Sequence, residues 1–431
     1  MNVCMLVQNP VVFDGRVLRH AEALARAGHR VTVLGVIGPN DTDRPLPKGL
    51  PFTVRRLRRQ KRGLVPSVFW AETALRQRAA VWLGGLVPAG WLKRLPGLAV
   101  LSDLAVAPCG VELAAFALSQ SGDVFHANDL NTLPAAAWAA AMTGKPYVYD
   151  AHEFYVEESP LLTPQQRLAR RTTESRLAHK AAAVLTVNKL LATELERLHG
   201  IPRPVVVRNL PPLFHTRDPA ERPPGPAGTL RLLYHGTHVG LSQPGVDDVL
   251  VAMAQLRRAQ QASIVLTLRG QVSADERRKL QQRIQALDLT QQVCLSPPVC
   301  GPLELMQQAV ADGAEVGLAL HPPLLGNYRL ATSSKVYEYQ MAGLAVCATD
   351  TPGSRLILDE RAGVFFPFGD TQQLTDTLQG LAHNRAHLKA LRQGARQRAL
   401  AEFAWEHEQA RLLSIYERLS PLRHWADLPD D

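Results

Sequence analysis

The sequence predicts an α/β protein made of two Rossmann-like parallel-sheet domains. Strand-like and helix-like segments alternate from end to end, the pattern of parallel strands joined by crossover helices. A Pro-dense run at 210–228, PPLF and then RDPAERPPGPAG, divides that alternation into two halves. The chain has 431 residues, 46% hydrophobic and 20% charged, which is a globular composition long enough for two or three cores.

The first half opens on a strand at 3–7. Asp14 can cap a helix over 16–27 with Val17, Leu18, Ala21, Leu24 and Ala25 on one face, and Gly28 stops it. Strands follow at 30–36 and 52–57. Residues 64–120 are rich in Ala, Leu and Trp and broken by Pro66, Pro88, Pro96 and Pro108. This insert reads either as amphipathic helices lying on a membrane or as packing helices of the first domain. Order returns with a strand at 123–127 ending in HANDLNTL, a helix at 134–142, and a strand at 147–149 ending in DAHEFY. A helix at 164–182, a strand at 183–187, a helix at 189–198 and a strand at 205–207 complete the half.

After the Pro-rich run, strands are expected at 231–234, 264–268, 292–295 and 315–320, with helices at 246–259, 274–287 and 303–309 between them. The stretch 332–353, TSSKVYEYQMAGLAVCATDTPG, then predicts a short helix, a Gly343 stop, a buried strand at 344–349 and a turn at Pro352–Gly353. Val336, Tyr339 and Met341 make the helix's apolar side. The tail is helical from Thr371, with a last amphipathic piece at 405–419. The domains are therefore expected at 1–215 and 216–404, facing one another across a cleft, with 405–431 as a closing helix and tail.

Net charge is +9. Eight basic residues and no acidic one lie between Arg44 and Arg62. That patch suits an anionic membrane surface, a phosphorylated substrate or plain solvation, and it lacks the interleaved aromatics on which single-stranded nucleic acid stacks. Five scattered cysteines without a CxxC pair argue against a disulfide framework, and three fall in apolar strand-like runs as buried thiols do. The start, MNVCMLVQNP, reads as a strand rather than a leader, and no uncharged apolar run reaches the roughly 18 residues of a transmembrane span. A reducing cytoplasm is the expected compartment.

The short helix that carries Lys335 and Glu338 has the most pointed chemistry. Its hydroxyl-rich start and Lys335 suit an anionic ligand, phosphate above all. Glu338, one turn on, can accept hydrogen bonds from sugar hydroxyls. Lys335 and Glu338 at this spacing also make an ordinary surface ion pair.

Together and in order, these residues resemble the retaining GT-B glycosyltransferases of family 4. DGRVLRHAEALARAGHRVTVL is similar to that family's first helix and second strand, HANDLNTLPAA and YVYDAHEFY to its acceptor-domain strand ends, SSKVYEYQMAGLAVCATDTPG to its donor-domain signature, and FAWEHEQARLLSIYERL to the helix that crosses back to the N-terminal domain. The resemblance implies transfer of a sugar from a nucleotide diphosphate sugar to an acceptor hydroxyl, without a metal or other cofactor. It implies that Glu338 holds the ribose and that Lys335 and the Ser334 amide face phosphate. Gly236 and Arg269 would lie along the diphosphate and Val299 near the base; sugar contacts could come from Asn327, Tyr328 or Arg329, beside Leu330. Gly15 and Arg16 would close on the pyrophosphate, and His152 with Glu153 would form the catalytic, sugar-side pair. His126, Asp129, His152 and Glu153 then line the sugar and acceptor side rather than a metal site. Leu330 stands where the family's E-x7-E motif has its first glutamate, and NPVVFDG replaces the frequent Gly-Gly of the first loop. A glycan or lipid-linked acceptor, cell-surface polysaccharide or glycolipid synthesis, and a peripheral position at the inner face of an anionic membrane are expected; nucleic acid is not. The competing readings are a GT-B sugar-nucleotide epimerase or hydrolase, and an inactive GT-B binding subunit.

Overall fold

A computed structural model describes residues 1–38, 45–46, 49–58, 103, 106–107, 109–218, 228–299, 301–323 and 326–419. The expected insert at 64–120 falls mostly outside the described residues, as do Arg44, Lys48, Arg59, Lys61, Arg62 and 219–227 of the Pro-rich run.

The chain forms two compact units, one of Met1–Arg208 with the residues from Gln409 onward, the other of Asn209–Glu408. Leu210 and Phe214 are buried in a core of the second unit, which is why the division falls before the Pro-rich run.

In unit 1 the strands are β1 (Asn2–Leu6), β2 (Arg30–Ile37), β3 (Thr53–Arg58), β4 (Val124–Asn128), β5 (Tyr147–Ala151), β6 (Ala183–Thr186) and β7 (Val205–Val206). They form one sheet in the order β3-β2-β1-β4-β5-β6-β7, and every pairing is parallel. β4 and β5 are buried at every position, as central strands covered on both faces must be. The helices are α1 (Gly15–Arg26), α2 (Gly110–Leu118), α3 (Leu133–Thr143), α4 (Pro164–Ala178) and α5 (Lys189–His199). Local chemistry sets their ends. Asp14 accepts from Val17 N–H, Thr163 and Gln166 close a capping box, and α3 and α5 stop at left-handed Gly144 and Gly200.

Unit 2 holds β8 (Thr229–His238), β9 (Ser263–Gln271), β10 (Val293–Ser296), β11 (Val316–Ala319), β12 (Ala345–Thr349) and β13 (Gly363–Phe366) in the order β10-β9-β8-β11-β12-β13, again all parallel. Its helices are α6 (Val246–Arg258), α7 (Ala274–Ala286), α8 (Pro302–Ala311), α9 (Gly326–Leu330), α10 (Ser334–Met341), α11 (Pro352–Ile357), α12 (Thr371–His383) and α13 (Arg385–Glu402). α14 (Trp405–Leu419) starts in unit 2 and continues into unit 1, where Tyr416 is buried against His126. The expected turn at Pro352–Gly353 is instead a short helix: Thr351 caps it and Pro352 occupies its first turn, where a missing N–H costs nothing. Cys4, Cys109 and Cys347 are buried thiols, but Cys294 is exposed because β10 is an edge strand.

α10 is fixed tightly. Val336, Tyr337, Tyr339 and Met341 are 0–1% exposed. Gly317 of β11 makes room for Tyr339, since a Cβ there would lie 2.2 Å from the ring. Gly343, at φ 72°, ends the helix in the left-handed conformation that glycine takes without strain.

Candidate functional site

In each sheet the strand order reverses direction at one point, where a crevice opens beyond the carboxyl ends. In unit 2 that point lies between β8 and β11, and residues from four segments converge there. Gly236 ends up beside Lys335: a Cβ on it would lie 3.6 Å from Lys335 Cε and 3.0 Å from His238 O. Lys335 Nζ lies 6.0 Å from the Tyr234 ring centroid. His321, just past β11, stacks obliquely on Tyr328 at 6.4 Å. Burial first, and then the Lys335 charge, takes the His321 imidazole down to about 4, so it is neutral at pH 7. Glu338 Oε2 accepts from His235 Nε2 at 2.8 Å, and the Tyr339 hydroxyl accepts from His235 N–H at 3.2 Å. The expected Tyr328, Lys335, Glu338 and Gly236 are thus gathered at one crevice, with Ser334 opening the helix that carries Glu338. Ser333 is the N-cap, but its side chain makes no capping hydrogen bond.

Arg269 behaves differently. It is 6% exposed, donates to Asp312 at 2.7 Å and to Pro297 O at 3.3 Å, and therefore holds β9 to the loop after α8. Val299 lies half-buried beyond β10.

Unit 1 has its reversal between β1 and β4. The β1–α1 loop is NPVVFDG, and Val11 takes φ 73°, a conformation that a β-branched residue rarely adopts. Asn9 supports it, accepting from Val11 N–H at 2.8 Å and donating to Asp14 at 2.7 Å. Valine thus occupies a glycine-like backbone state in the loop where the family resemblance expects glycines.

Behind this loop sits a buried ion cluster centred on Asp150. Arg16 grips both carboxylate oxygens, at 2.7 and 2.9 Å, and donates to Val207 O at 2.7 Å. His20, His126 and His152 place ring nitrogens 3.5, 3.7 and 3.2 Å from the same carboxylate. Burial opposes the charge on Asp150, but Arg16 and then His152 outweigh it and hold the carboxyl well below its usual range. Burial keeps His20 and His126 below the usual histidine value, and the His126 ring pairs with the Tyr416 hydroxyl at 2.5 Å.

His152 is the cation of the set. Burial pulls its pKa down, but Asp129 at 2.9 Å and Asp150 at 3.2 Å lift it to about 10. One ring nitrogen faces Asp129 and the other faces Asp150, and with its pKa at about 10 the ring is an imidazolium rather than a base. Asp129 sits at φ 72° and also accepts from the Tyr155 hydroxyl. Glu153 follows, half-buried.

The geometry redirects the expected role of Arg16. Arg16 is 4% exposed and its guanidinium is spent on Asp150 and Val207, so it faces the protein rather than a pyrophosphate; Gly15 is half-buried at the helix start. Among the described residues, His20, His126 and Asp150 form the one group spaced to hold a metal ion. With a guanidinium across both Asp150 oxygens and a cationic imidazole beside it, that group fits an internal ion-pair cluster better than a divalent metal centre. His20 and Asp150 are absent from the sequence-based set, although His20 lies one turn from Arg16 on α1, which was a readable signal.

Three family models match the chain: a glycosyl transferase 4-like domain over 15–210, glycosyl transferases group 1 over 239–398, and a family 4 glycosyltransferase in conflict systems over 147–296. Sucrose-phosphate synthase from Thermosynechococcus elongatus is similar in structure, with a TM-score of 0.66, 18% identity, and 97% of this chain and 99% of that one covered. Anabaena Alr3699/HepE, solved in complex with UDP and glucose, aligns with a TM-score of 0.65 at 15% identity over 97% and 100% of the two chains. The lipopolysaccharide outer core galactosyltransferase WaaB gives 0.58 at 13% over 97% and 99%. No curated protein matches. Two all-parallel Rossmann-like domains of this order define the GT-B architecture. Within it, the chain is a family 4-like glycosyltransferase, its first half matched as a glycosyl transferase 4-like domain and its second as glycosyl transferases group 1.

Proposed function

We propose that the chain transfers a sugar from a nucleotide diphosphate sugar to an acceptor hydroxyl, with retention at the anomeric carbon. The observation that carries this is the crevice between β8 and β11, where Lys335, Gly236, Tyr328 and a braced Glu338 converge. A UDP-bound structural neighbour supports the nucleotide part of the reading. Glu338 accepts from the ribose hydroxyls. Lys335 and the Ser334 amide face the diphosphate, Tyr328 the sugar, and Val299 and Arg269 the base-side and diphosphate-side walls, Arg269 through its hold on the β9 end. Gly15 lies on the pyrophosphate side, and His152 and Glu153 on the sugar side, His152 as a fixed cation.

The chemistry follows from charge. The bond from the anomeric carbon to the leaving phosphate oxygen breaks, the acceptor oxygen bonds to that carbon on the same face, and the acceptor proton passes to the departing phosphate. Positive potential at Lys335 favours the charge that develops on the leaving group. His152, a cation between Asp129 and Asp150, is not a base, which agrees with a reaction needing no histidine base.

The acceptor is proposed to be a glycan or lipid-linked chain at the inner face of an anionic membrane, in cell-surface polysaccharide or glycolipid synthesis. Arg55, Arg56 and Arg58 on the edge strand β3 motivate the membrane contact. Among the described residues no helix is long and apolar enough to cross a membrane. Reversing Arg55, Arg56 and Arg58 to Glu is expected to abolish sedimentation with anionic liposomes at low salt; unchanged sedimentation removes the membrane reading.

A second reading has a specific motive: Leu330 replaces the first motif glutamate, and Arg269 and Arg16 are held internally. In that reading the chain binds nucleotide sugar without transferring it. Radiolabelled UDP-, GDP- and ADP-sugars incubated with membrane glycolipid extract separate the two. Label in an acceptor supports transfer, whereas binding without label in acceptor or water supports the inactive subunit.

A further inference from the structure

We infer that His235 is a positioning residue: it holds the Glu338 carboxylate in the orientation that receives the ribose hydroxyls of a nucleoside diphosphate. The inference rests on the nucleotide-sugar reading and deepens it.

Glu338 is a long side chain in the middle of α10, with three rotatable bonds. Left to itself it would lose rotamer freedom whenever a ribose bound, and that ordering cost would be subtracted from affinity. His235 removes the cost in advance. Its Nε2–H donates to Glu338 Oε2 at 2.8 Å, and the two side chains are only 17% and 12% exposed. The imidazole is itself held: its ring meets Tyr339 edge-on at 5.7 Å and 86°, and its backbone N–H donates to the Tyr339 hydroxyl. Tyr339 in turn is locked over Gly317. The chain of support runs from β11 through Tyr339 to His235 and Glu338.

Two features tie this pair to the crevice rather than to the fold at large. His235 stands at the carboxyl end of β8, on the strand where the sheet order reverses. The β8–β9 register also shifts between His235 and His238, an irregularity that re-aims side chains at a strand end. A pair meant only to fasten α10 has little use for a displaced strand end, because the buried Val336, Tyr337, Tyr339 and Met341 already fasten it.

The test is calorimetric titration with UDP, GDP and ADP, taking the tightest binder and its 2′,3′-dideoxy counterpart. Wild type, His235→Ala and His235→Gln are compared. His235→Ala is expected to weaken the ribose nucleotide about tenfold and leave the dideoxy nucleotide unchanged. His235→Gln keeps an N–H donor and is expected to restore most of the loss. Equal weakening of both nucleotides, or no weakening of either, overturns the inference while leaving the donor reading intact. Failure of wild type to bind any of the three overturns the donor reading and this inference with it. Should His235→Ala not fold, His235→Asn, whose amide falls short of Glu338, makes the same comparison.

Discussion

The two units place the same topological feature, the reversal of strand order in a parallel sheet, under opposite electrostatic regimes. In unit 1 the centre of the charge cluster is sealed: Arg16, His20, His126 and Asp150 are 0–4% exposed and answer one another, with the His152 and Asp129 side chains beside them at 15% and 25%. In unit 2 the groups beside it are partly open, with His235 and Glu338 at 17% and 12% and Lys335 half-buried. A buried charge stripped of its partner costs the fold; a half-exposed, braced charge is available to a ligand. The difference teaches that strand-end position alone does not mark a binding group. What marks it is whether the charge is consumed inside the protein.

Removing one charge from each unit should therefore have different consequences. The largest effect is expected from Asp150→Asn, which leaves a buried Arg16 and a half-buried His152 imidazolium against a neutral amide. A loss of about 3–5 kcal/mol is expected, read by urea unfolding. A loss below about 1 kcal/mol would show that the unit 1 cluster is not a structural hub.

Next in size is Gly317→Ala. Its Cβ would meet the Tyr339 ring at 2.2 Å, so about 1–3 kcal/mol of destabilisation is expected. Nucleotide affinity should fall with it, because Tyr339 braces His235. A Gly317→Ala protein with unchanged affinity would detach the brace from the crevice.

The pH profile sharpens the contrast from the unit 1 side. The folded-state pKa of His152, about 10, lies above the unfolded value of 6.5, so the charged ring adds stability that is present in full below pH 6.5 and fades as pH rises through 10. At the acid end, Asp150 is depressed, so its contribution is present above 3.8 and is lost as pH falls through its lower folded value. Unfolding midpoints measured across this range should decline on the alkaline side in wild type and flatten there in His152→Gln. An alkaline decline of equal size in His152→Gln would assign it to other groups.

Much of the fold was legible because its signals are local. The Asp14 cap, the Gly343 stop and the buried face of Val336, Tyr339 and Met341 all lie within a turn or two of what they control. So were Lys335 and Glu338, which share one helix. What stayed hidden is long-range. Arg16 meets Asp150 across 134 residues and Tyr416 meets His126 across 290, and no local pattern announces either. The same limit applies to Arg269, whose partner Asp312 lies 43 residues on and turns an expected ligand contact into a brace. His235 stood in plain view before Gly236, but its value depends on a carboxylate 103 residues away. Short elements were missed for another reason: α9 and β13 have too few residues for periodicity to speak.

The central claim is that the unit 2 crevice is spent on a nucleotide while the unit 1 cluster is spent on the fold. Paired calorimetry and urea unfolding of Glu338→Ala against wild type test it most directly, with UDP, GDP and ADP as ligands. The account predicts that nucleotide affinity falls by about tenfold or more while the unfolding free energy moves by less than about 1 kcal/mol. Unchanged affinity, or a loss of stability approaching that of Asp150→Asn, would contradict it.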